Sequence, residues 1–230
     1  MPSHVPPATA PTTDRGCTEE ERAYYATSRR VYGSWFASAY ELITAPFAYV
    51  RELAARDAGV APGTRALDVA TGTGAQARAF ADAGARVIGL DLSERMIGVA
   101  RRRNGDRDVG FLVGDATALP FDDAGFDVAC VSFALHEMPA TVRGGVLREL
   151  ARVVRPGGTL VVVDYALPRN PAWRRILVGA VRLFEHESYT TFLRADLGVE
   201  LREVGVEVTS EHRVVLDAAR IVIGRRATAS

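Results

Sequence analysis

Residues 66–74 read Ala66-Leu67-Asp68-Val69-Ala70-Thr71-Gly72-Thr73-Gly74, an apolar run that stops in a glycine-containing turn. Two glycines here let the backbone turn tightly and let a ligand approach it closely. The residues that follow carry a helical pattern over 74–83, so the turn opens into a helix whose N-terminal amides face the same ligand. The unit repeats along the chain. Apolar runs at 65–70, 86–91, 109–114, 126–134 and 159–165 are rich in Val, Ile and Leu. Runs of this length suit parallel strands buried on both faces. Helical stretches lie between and after them, over 94–103, 140–154 and a later group across 171–204. Ser93 is a suitable N-cap for the second helix, and Pro156-Gly157-Gly158 is expected to end the third. Strands alternating with helices predict an α/β fold with a doubly wound sheet.

Two further β-rich runs, 206–215 and 219–225, close the pattern. The link near Asp217 is too short for a parallel crossover, so this pair is predicted antiparallel. Ordinary dinucleotide-binding domains carry a sixth parallel strand instead. Ahead of the alternation, residues 1–18 are rich in Pro and Thr and read as a disordered leader. Residues 19–60 read as amphipathic helices divided by Pro46, and 61–230 as the main domain, with an insertion at about 168–192.

The glycine turn is ambiguous by itself, because Gly72, Gly74 and Ala77 also satisfy the G-x-G-x-x-A form of the dinucleotide fingerprint. Asp68 separates the ligands. A pyrophosphate near this carboxylate would be repelled, by on the order of 4 kcal/mol for unit charges ~4 Å apart at an effective dielectric near 20. S-adenosylmethionine (SAM) has no phosphate and brings an ammonium and a sulfonium, which Asp68 would attract. The competing reading of Asp68 is a carboxylate that caps loop amides. Asp91 ends the second strand, where a carboxylate can accept both ribose hydroxyls. Met96 lies one turn into the next helix, where its thioether can cover an adenine face or simply pack. Asp115 ends the third strand, in position for the adenine amine, with the Ala116 amide beside it. Its bland role is to cap the segment that follows.

These residues carry a resemblance. Leu67 to Gly74, Gly89-Leu90-Asp91-Leu92-Ser93 with Met96, Gly114-Asp115-Ala116 with Leu119-Pro120-Phe121, Phe126-Asp127-Val128 with Phe133-Ala134-Leu135, and Leu150 to Gly158 all contribute. In their order and spacing they resemble the class I SAM-dependent methyltransferases. The chain looks closest to the group that includes the ubiquinone and menaquinone biosynthesis enzymes. The resemblance implies a Rossmann-like seven-stranded sheet of order 3-2-1-4-5-7-6 with strand 7 antiparallel. Helices would cover both faces, and the N-terminal helices would form a lid. It implies Asp68, Gly72 and Gly74 near the methionine moiety, Asp91 on the ribose, and Asp115 and Ala116 on the adenine. Ala70, Leu92, Met96 and Phe133 are expected to complete the cofactor site. Ala70 replaces the first glycine of the wider family's loop. His136-Glu137 stands where the quinone enzymes usually carry an arginine and an asparagine, which weakens the case for a quinol.

A sulfonium methyl is already electrophilic, so the protein must mainly align the acceptor and exclude water. His136, beyond the fourth strand, is the candidate base. Tyr165 follows the fifth strand, and Tyr25, Tyr32 and Tyr40 lie on the N-terminal helices with Trp35. With His186 and Tyr189 of the insertion, these are candidates for the acceptor pocket or for packing. Glu185-His186-Glu187 lacks a second histidine at helical spacing, so no metal is expected.

Lys plus Arg number 28 and Asp plus Glu 28, which leaves no basic field for nucleic acid. The start carries no secretory pattern, and no apolar run reaches the roughly 20 residues needed to cross a bilayer. The cysteines, Cys17 and Cys130, are not expected to pair, which fits a cytoplasmic home. The N-terminal aromatic helices leave membrane contact open but lack a strongly basic face. The expected activity is methyl transfer from SAM to a small-molecule acceptor. Alternatives are a lipid- or quinone-type methyltransferase, another SAM-fold enzyme, or a non-catalytic SAM-binding module. A NAD-dependent oxidoreductase is least favoured, because of Asp68 and the terminal hairpin.

Overall fold

Valine, isoleucine and leucine dominate the inner strands of the sheet, which are buried from both sides. A computed structural model describes residues 17–32, 48–175, 191–193 and 195–228. Two helices precede the sheet, α1 (Glu19–Tyr32) and α2 (Ala48–Asp57). The alternating region follows as β1 (Arg65–Val69), α3 (Ala75–Asp82), β2 (Arg86–Asp91), α4 (Glu94–Asn104) and β3 (Val109–Val113). Then come β4 (Phe126–Ser132), α5 (Ala140–Val153), β5 (Val154–Tyr165), α6 (Leu197–Glu203), β6 (Val206–Val214) and β7 (Ala219–Arg226).

The seven strands pair in the order β3-β2-β1-β4-β5-β7-β6. The first five run parallel, and β7 is antiparallel to both β5 and β6. This is the sheet that the resemblance implies, closed by the expected hairpin. One apolar layer packs α5 and α6 on one face, through Val146, Leu147, Leu150 and Leu201. A second packs α2, α3 and α4 on the other, through Val50, Ala54, Phe80 and Ile97. The chain reverses between β1 and β4, which leaves a crevice at the C-terminal ends of the central strands. Ligands bind at such a switch point in open α/β sheets.

Three local features differ from the sequence reading or were missed by it. Pro156-Gly157-Gly158 does not end the third helix. The helix stops at Val153, and Val154 already adopts an extended conformation paired with Phe126. The Pro-Gly-Gly segment is instead absorbed as an irregularity in β5, whose register jumps between Phe126 and Val128 of its neighbour. The fourth strand ends at Ser132, because Phe133 takes a left-handed φ of 52°. At the start of α1, Thr18 and Glu21 form a reciprocal capping box. The Glu21 amide donates to Thr18 Oγ1 at 3.2 Å, and the Thr18 amide donates to Glu21 Oε2 at 2.8 Å. The Thr-x-x-Glu spacing was available in the sequence.

Gly74 fixes the start of α3 and is needed for packing. Its φ is +80°, and an added Cβ would stand 2.7 Å from Asn104 Nδ2 and 2.8 Å from the Phe111 ring. Asn104 is buried and donates to the carbonyl of Ala100 at 2.8 Å, so it cannot easily retreat. Gly74→Ala is expected to destabilise the domain by about 2–4 kcal/mol, from the strained φ and the overpacking together. Urea denaturation would show this as a lower midpoint with an unchanged slope.

Candidate active site

The strand ends deliver the three aspartates to one crevice. Asp68, Asp91 and Asp115 all line it, together with Ala70, Gly72, Leu92, Met96, Ala116 and Phe133. Its space is about 990 Å³ when the open solvent at its mouth is included. Gly74 is not among the lining residues, and its contacts are those with Asn104 and Phe111. Ala70 holds a left-handed φ of 53°, a conformation that glycine adopts without strain.

Asp68 is 1% exposed and its two oxygens differ. Oδ2 accepts from the Thr71 hydroxyl at 2.5 Å and from the Ala77 amide at 3.0 Å, so the capping role is real. Oδ1 is buried without a hydrogen-bond partner. Burial pushes the carboxyl up to about 7, against the pull of those two hydrogen bonds and of the nearby Arg51. A buried carboxylate oxygen with no donor is costly by itself. An arriving ammonium would relieve that cost.

Asp91 closes β2 and holds the glycine turn. Its Oδ2 accepts from the Gly72 amide and its Oδ1 from the Ser93 amide, each at 2.8 Å. Burial raises its pKa, and the two amides oppose that rise. Ser93 caps α4 by accepting from the Met96 amide at 3.3 Å, as its sequence position predicts. Met96 is 2% exposed and still borders the crevice, so packing and lining are both true of it. Asp115 Oδ1 accepts from the Thr117 amide at 2.9 Å and from its hydroxyl at 2.8 Å. The carboxylates are therefore rigid, held by the loops they organise.

Helix α1 lies against the crevice through Tyr24, Tyr25 and Ser28. Burial, with Asp115 beside it, pushes the Tyr25 hydroxyl up to about 12, so it stays a neutral donor. Burial, with Glu137 nearby, raises Tyr24 as well. Tyr32 is the last residue of α1. Its side chain, and Trp35, Tyr40, His186 and Tyr189, lie outside the described residues.

His136 follows β4 in a 3-10 turn, Leu135–Glu137. It is 5% exposed and does not itself line the crevice, although its neighbours Ala134, Glu137 and Met138 do. Its Nδ1 is 2.7 Å from Asp164 Oδ1, and its Nε2 is 3.8 Å from the carboxylate of Glu137. Asp164 is fully buried in β5 and accepts from the amides of Leu135, His136 and Tyr165. A carboxylate that gathers three amides is an acceptor, so the imidazole presents Nδ1–H to it and keeps the Nε2 lone pair. Tyr165 does not line the crevice. Its ring packs edge-on against His136 at 4.8 Å and against Phe133 at 5.3 Å.

The residues that sequence reading missed are Arg51, Thr71, Gln76 and Asp164. Asp164 looked like one more residue of an apolar strand. Only the parallel pairing of β4 with β5 brings it beneath the turn that holds His136. Among the described residues no group of three or more His, Cys, Asp or Glu could hold a metal, and no helix is long and apolar enough to cross a membrane.

Sheet order and crevice together have the architecture of the Rossmann-like methyltransferase fold. Residues 67–162 match the family model described as a methyltransferase domain. The demethylmenaquinone methyltransferase of Renibacterium salmoninarum is 43% identical over 126 residues, 55% of this chain and 52% of that protein. That of Clavibacter sepedonicus is 46% identical over 119 residues, 50% of this chain and 48% of its own length. The chain thus spans about half the length of these curated relatives. Magnesium protoporphyrin IX methyltransferase from Synechocystis, solved with bound S-adenosylhomocysteine (SAH), superposes with a TM-score of 0.69. The identity is 18%, over 89% of this chain and 100% of that one. A SAM-dependent methyltransferase from Aquifex aeolicus superposes at 0.60 with 20% identity, over 77% and 89%. At these identities the structures speak for the fold alone.

Proposed function

We propose that the protein transfers the methyl group of SAM to a small-molecule acceptor. The unpartnered Oδ1 of Asp68 supports this reading most directly, because it is buried at the crevice and suited to a ligand ammonium. In this reading the Asp91 carboxylate takes the ribose hydroxyls, and Asp115 with the Ala116 amide takes the adenine edge. Ala70, Gly72, Leu92, Met96 and Phe133 enclose the nucleoside and the sulfur. Helix α1 covers the mouth through Tyr25 and excludes water. Residues 61–230 act as the catalytic domain and 19–60 as its lid. The balanced charge, with no basic field, supports a small acceptor over a nucleic acid. The free thiols Cys17 and Cys130 fit a cytoplasmic setting.

Bound SAM supplies an electrophilic methyl on its sulfonium. The chain's own residues hold the acceptor atom in line and take up its proton where it has one. His136 is the side chain we assign as that base: it stands just behind the lining, with Nε2 3.8 Å from the crevice residue Glu137 and Asp164 behind Nδ1. Such a base suits an acceptor with an acidic hydroxyl. The names of the relatives favour a quinol-type hydroxyl as a second, narrower reading.

Calorimetry with SAH tests the donor site. The ammonium pairs with ionised Asp68, whose carboxyl titrates at about 7 in the free protein. Below that pH, binding must expel a proton. The affinity is therefore expected to be flat above about pH 8 and to fall toward tenfold per pH unit below about pH 6. No binding at neutral pH would remove the proposal. Labelled SAM offered with phenols, quinols and amines then reports the acceptor class.

A further inference from the structure

Large hydrophobic side chains that stand exposed among the described residues are Tyr49, Trp173, Val199 and Leu216. Three of the four gather at one corner, where the chain leaves β5 and where β6 turns into β7. The Val215 amide donates to Tyr49 Oη at 3.1 Å, which sets Tyr49 of α2 beside the hairpin tip. The Arg169 amide donates to Asp217 Oδ2 at 2.6 Å, which sets the segment after β5 against the same tip. Trp173 follows four residues later, in a helical turn over 171–175 that Asn170 caps through the Ala172 and Trp173 amides. Leu216, at the tip, is 80% exposed. It sits in a run of left-handed residues, with φ of 54° at Val215, 53° at Leu216 and 70° at Asp217. A β-branched valine rarely adopts that conformation, so the turn presents its leucine to solvent against the backbone's own preference.

The same corner is cationic. Arg169, Arg174 and Arg175 are exposed, and among the described residues no ion pair holds any of them. The adjacent carboxylate is already engaged: Asp217 accepts from the Arg169 amide and lies 4.0 Å from Arg213. Three unpaired arginines within seven residues are a local excess in a chain whose net charge is zero. Apolar tips set among such arginines suit one kind of partner. A nucleic acid would take the charges and leave Leu216 without a contact. An anionic bilayer takes both, because Trp and Tyr rest at headgroup level, leucine enters the acyl boundary and arginines meet lipid phosphates. Shallow apolar insertion is marginal alone and needs a basic second signal, and this corner carries the two together.

We propose that this corner docks the protein reversibly on an anionic lipid bilayer. Leu216 and Trp173 enter the interface, with Tyr49 beside them, and Arg169, Arg174 and Arg175 face the lipid phosphates. The docked corner adjoins the acceptor side of the site, because Arg169 follows by four residues Tyr165, whose ring packs on His136. The proposal does not depend on the donor reading.

Co-sedimentation of the full chain with vesicles tests it. Phosphatidylcholine vesicles with about 30% phosphatidylglycerol should bind the wild type about tenfold or more tightly than phosphatidylcholine alone, and about 0.5 M salt should release it. Replacing Arg174 and Arg175 together by Gln should weaken binding about 10- to 30-fold. Leu216→Ser should weaken it about tenfold. Val199→Ser, on α6, should change it by less than about twofold. SAH affinity without vesicles should be the same in every variant, so this proposal and the donor site fail separately. Hydrogen exchange of the wild type, which needs no variant, should slow on anionic vesicles over 169–175 and 214–218. Unchanged exchange there would overturn the proposal. So would equal binding to both kinds of vesicle, or none, which would leave the corner to a protein partner. Weakening by arginine loss with Leu216→Ser unaffected would reduce the effect to charge attraction and overturn docking as well.

Discussion

Asp68→Asn is expected to lose the donor almost completely while leaving the domain at least as stable as before. The two effects have one cause. Oδ2 of Asp68 accepts from the Thr71 hydroxyl and the Ala77 amide, and an asparagine carbonyl can accept both. Oδ1 is a buried charge with no donor. Burial raises the folded-state pKa to about 7, well above the value of an unfolded aspartate. Between about pH 4 and pH 7 the folded protein therefore holds more protons here than the unfolded chain. Stability then falls as pH rises through that window, by on the order of 4 kcal/mol. Above pH 7 the wild-type protein bears this whole cost, and asparagine removes the charge that causes it. Thermal unfolding at pH 8 should show Asp68→Asn melting at or above the wild type, with the slope between pH 4 and 7 flattened. Calorimetry should show SAH affinity reduced by about 100- to 1,000-fold, the scale of removing one partner from a buried charged pair. Affinity within threefold of the wild type would reduce Asp68 to a loop cap.

The α/β class and the terminal hairpin were readable because each depends on local pattern. The apolar runs at 86–91 and 109–114 are bounded by turn signals. The link at Asp217 is too short for any parallel return. The ends of β1, β2 and β3 were readable for a related reason: residues at or just past the carboxyl ends of strands beside a switch point stand next to the crevice, although packing decides which of them face it. Asp68, one residue before the end of β1, Asp91, which closes β2, and Asp115, two residues past β3, all line it. Two kinds of site residue were not legible. Arg51 reaches the crevice because α2 packs on α3, a contact 25 residues away in sequence that has no periodic signature. Asp164 is an acidic residue in a strand, and its partner His136 is 28 residues away. Pairing across β4 and β5 decides that contact, and the irregular register there could not be counted from the sequence. The misread end of the third helix has the same origin. Pro156-Gly157-Gly158 has the composition of a helix stop, but the strand had already begun at Val154, two residues earlier. Tyr165 shows the limit in the other direction. It stands at a strand end, like the aspartates, yet its ring turns onto His136 and Phe133 and does not line the crevice.

Asp164→Asn should separate catalysis from donor binding. Asp164 reaches no part of the crevice lining, so SAH affinity should stay within about threefold of the wild type. Its effect runs through His136. The carboxylate collects the Leu135, His136 and Tyr165 amides and then orients the imidazole through Nδ1. Asparagine retains the shape but can also present an NH2 group to Nδ1. That favours the tautomer with the proton on Nε2, where the lone pair is needed. The turnover rate with an acidic-hydroxyl acceptor is expected to fall by about 10²- to 10⁴-fold, the range for a misoriented base. A purely structural role would lower the rate and the donor affinity together, so the ratio of the two is the first readout. The second is the pH profile. Wild-type activity should fall as acid protonates His136, and Asp164→Asn should move that limb to lower pH, because the imidazolium loses its anionic neighbour. Asp164→Glu, which keeps the charge and displaces it, should recover part of the rate and leave the limb near its wild-type position. An unchanged rate in Asp164→Asn, or an unchanged limb with donor affinity lost, would remove His136 and Asp164 from the chemistry and leave Asp164 as an anchor for the turn after β4.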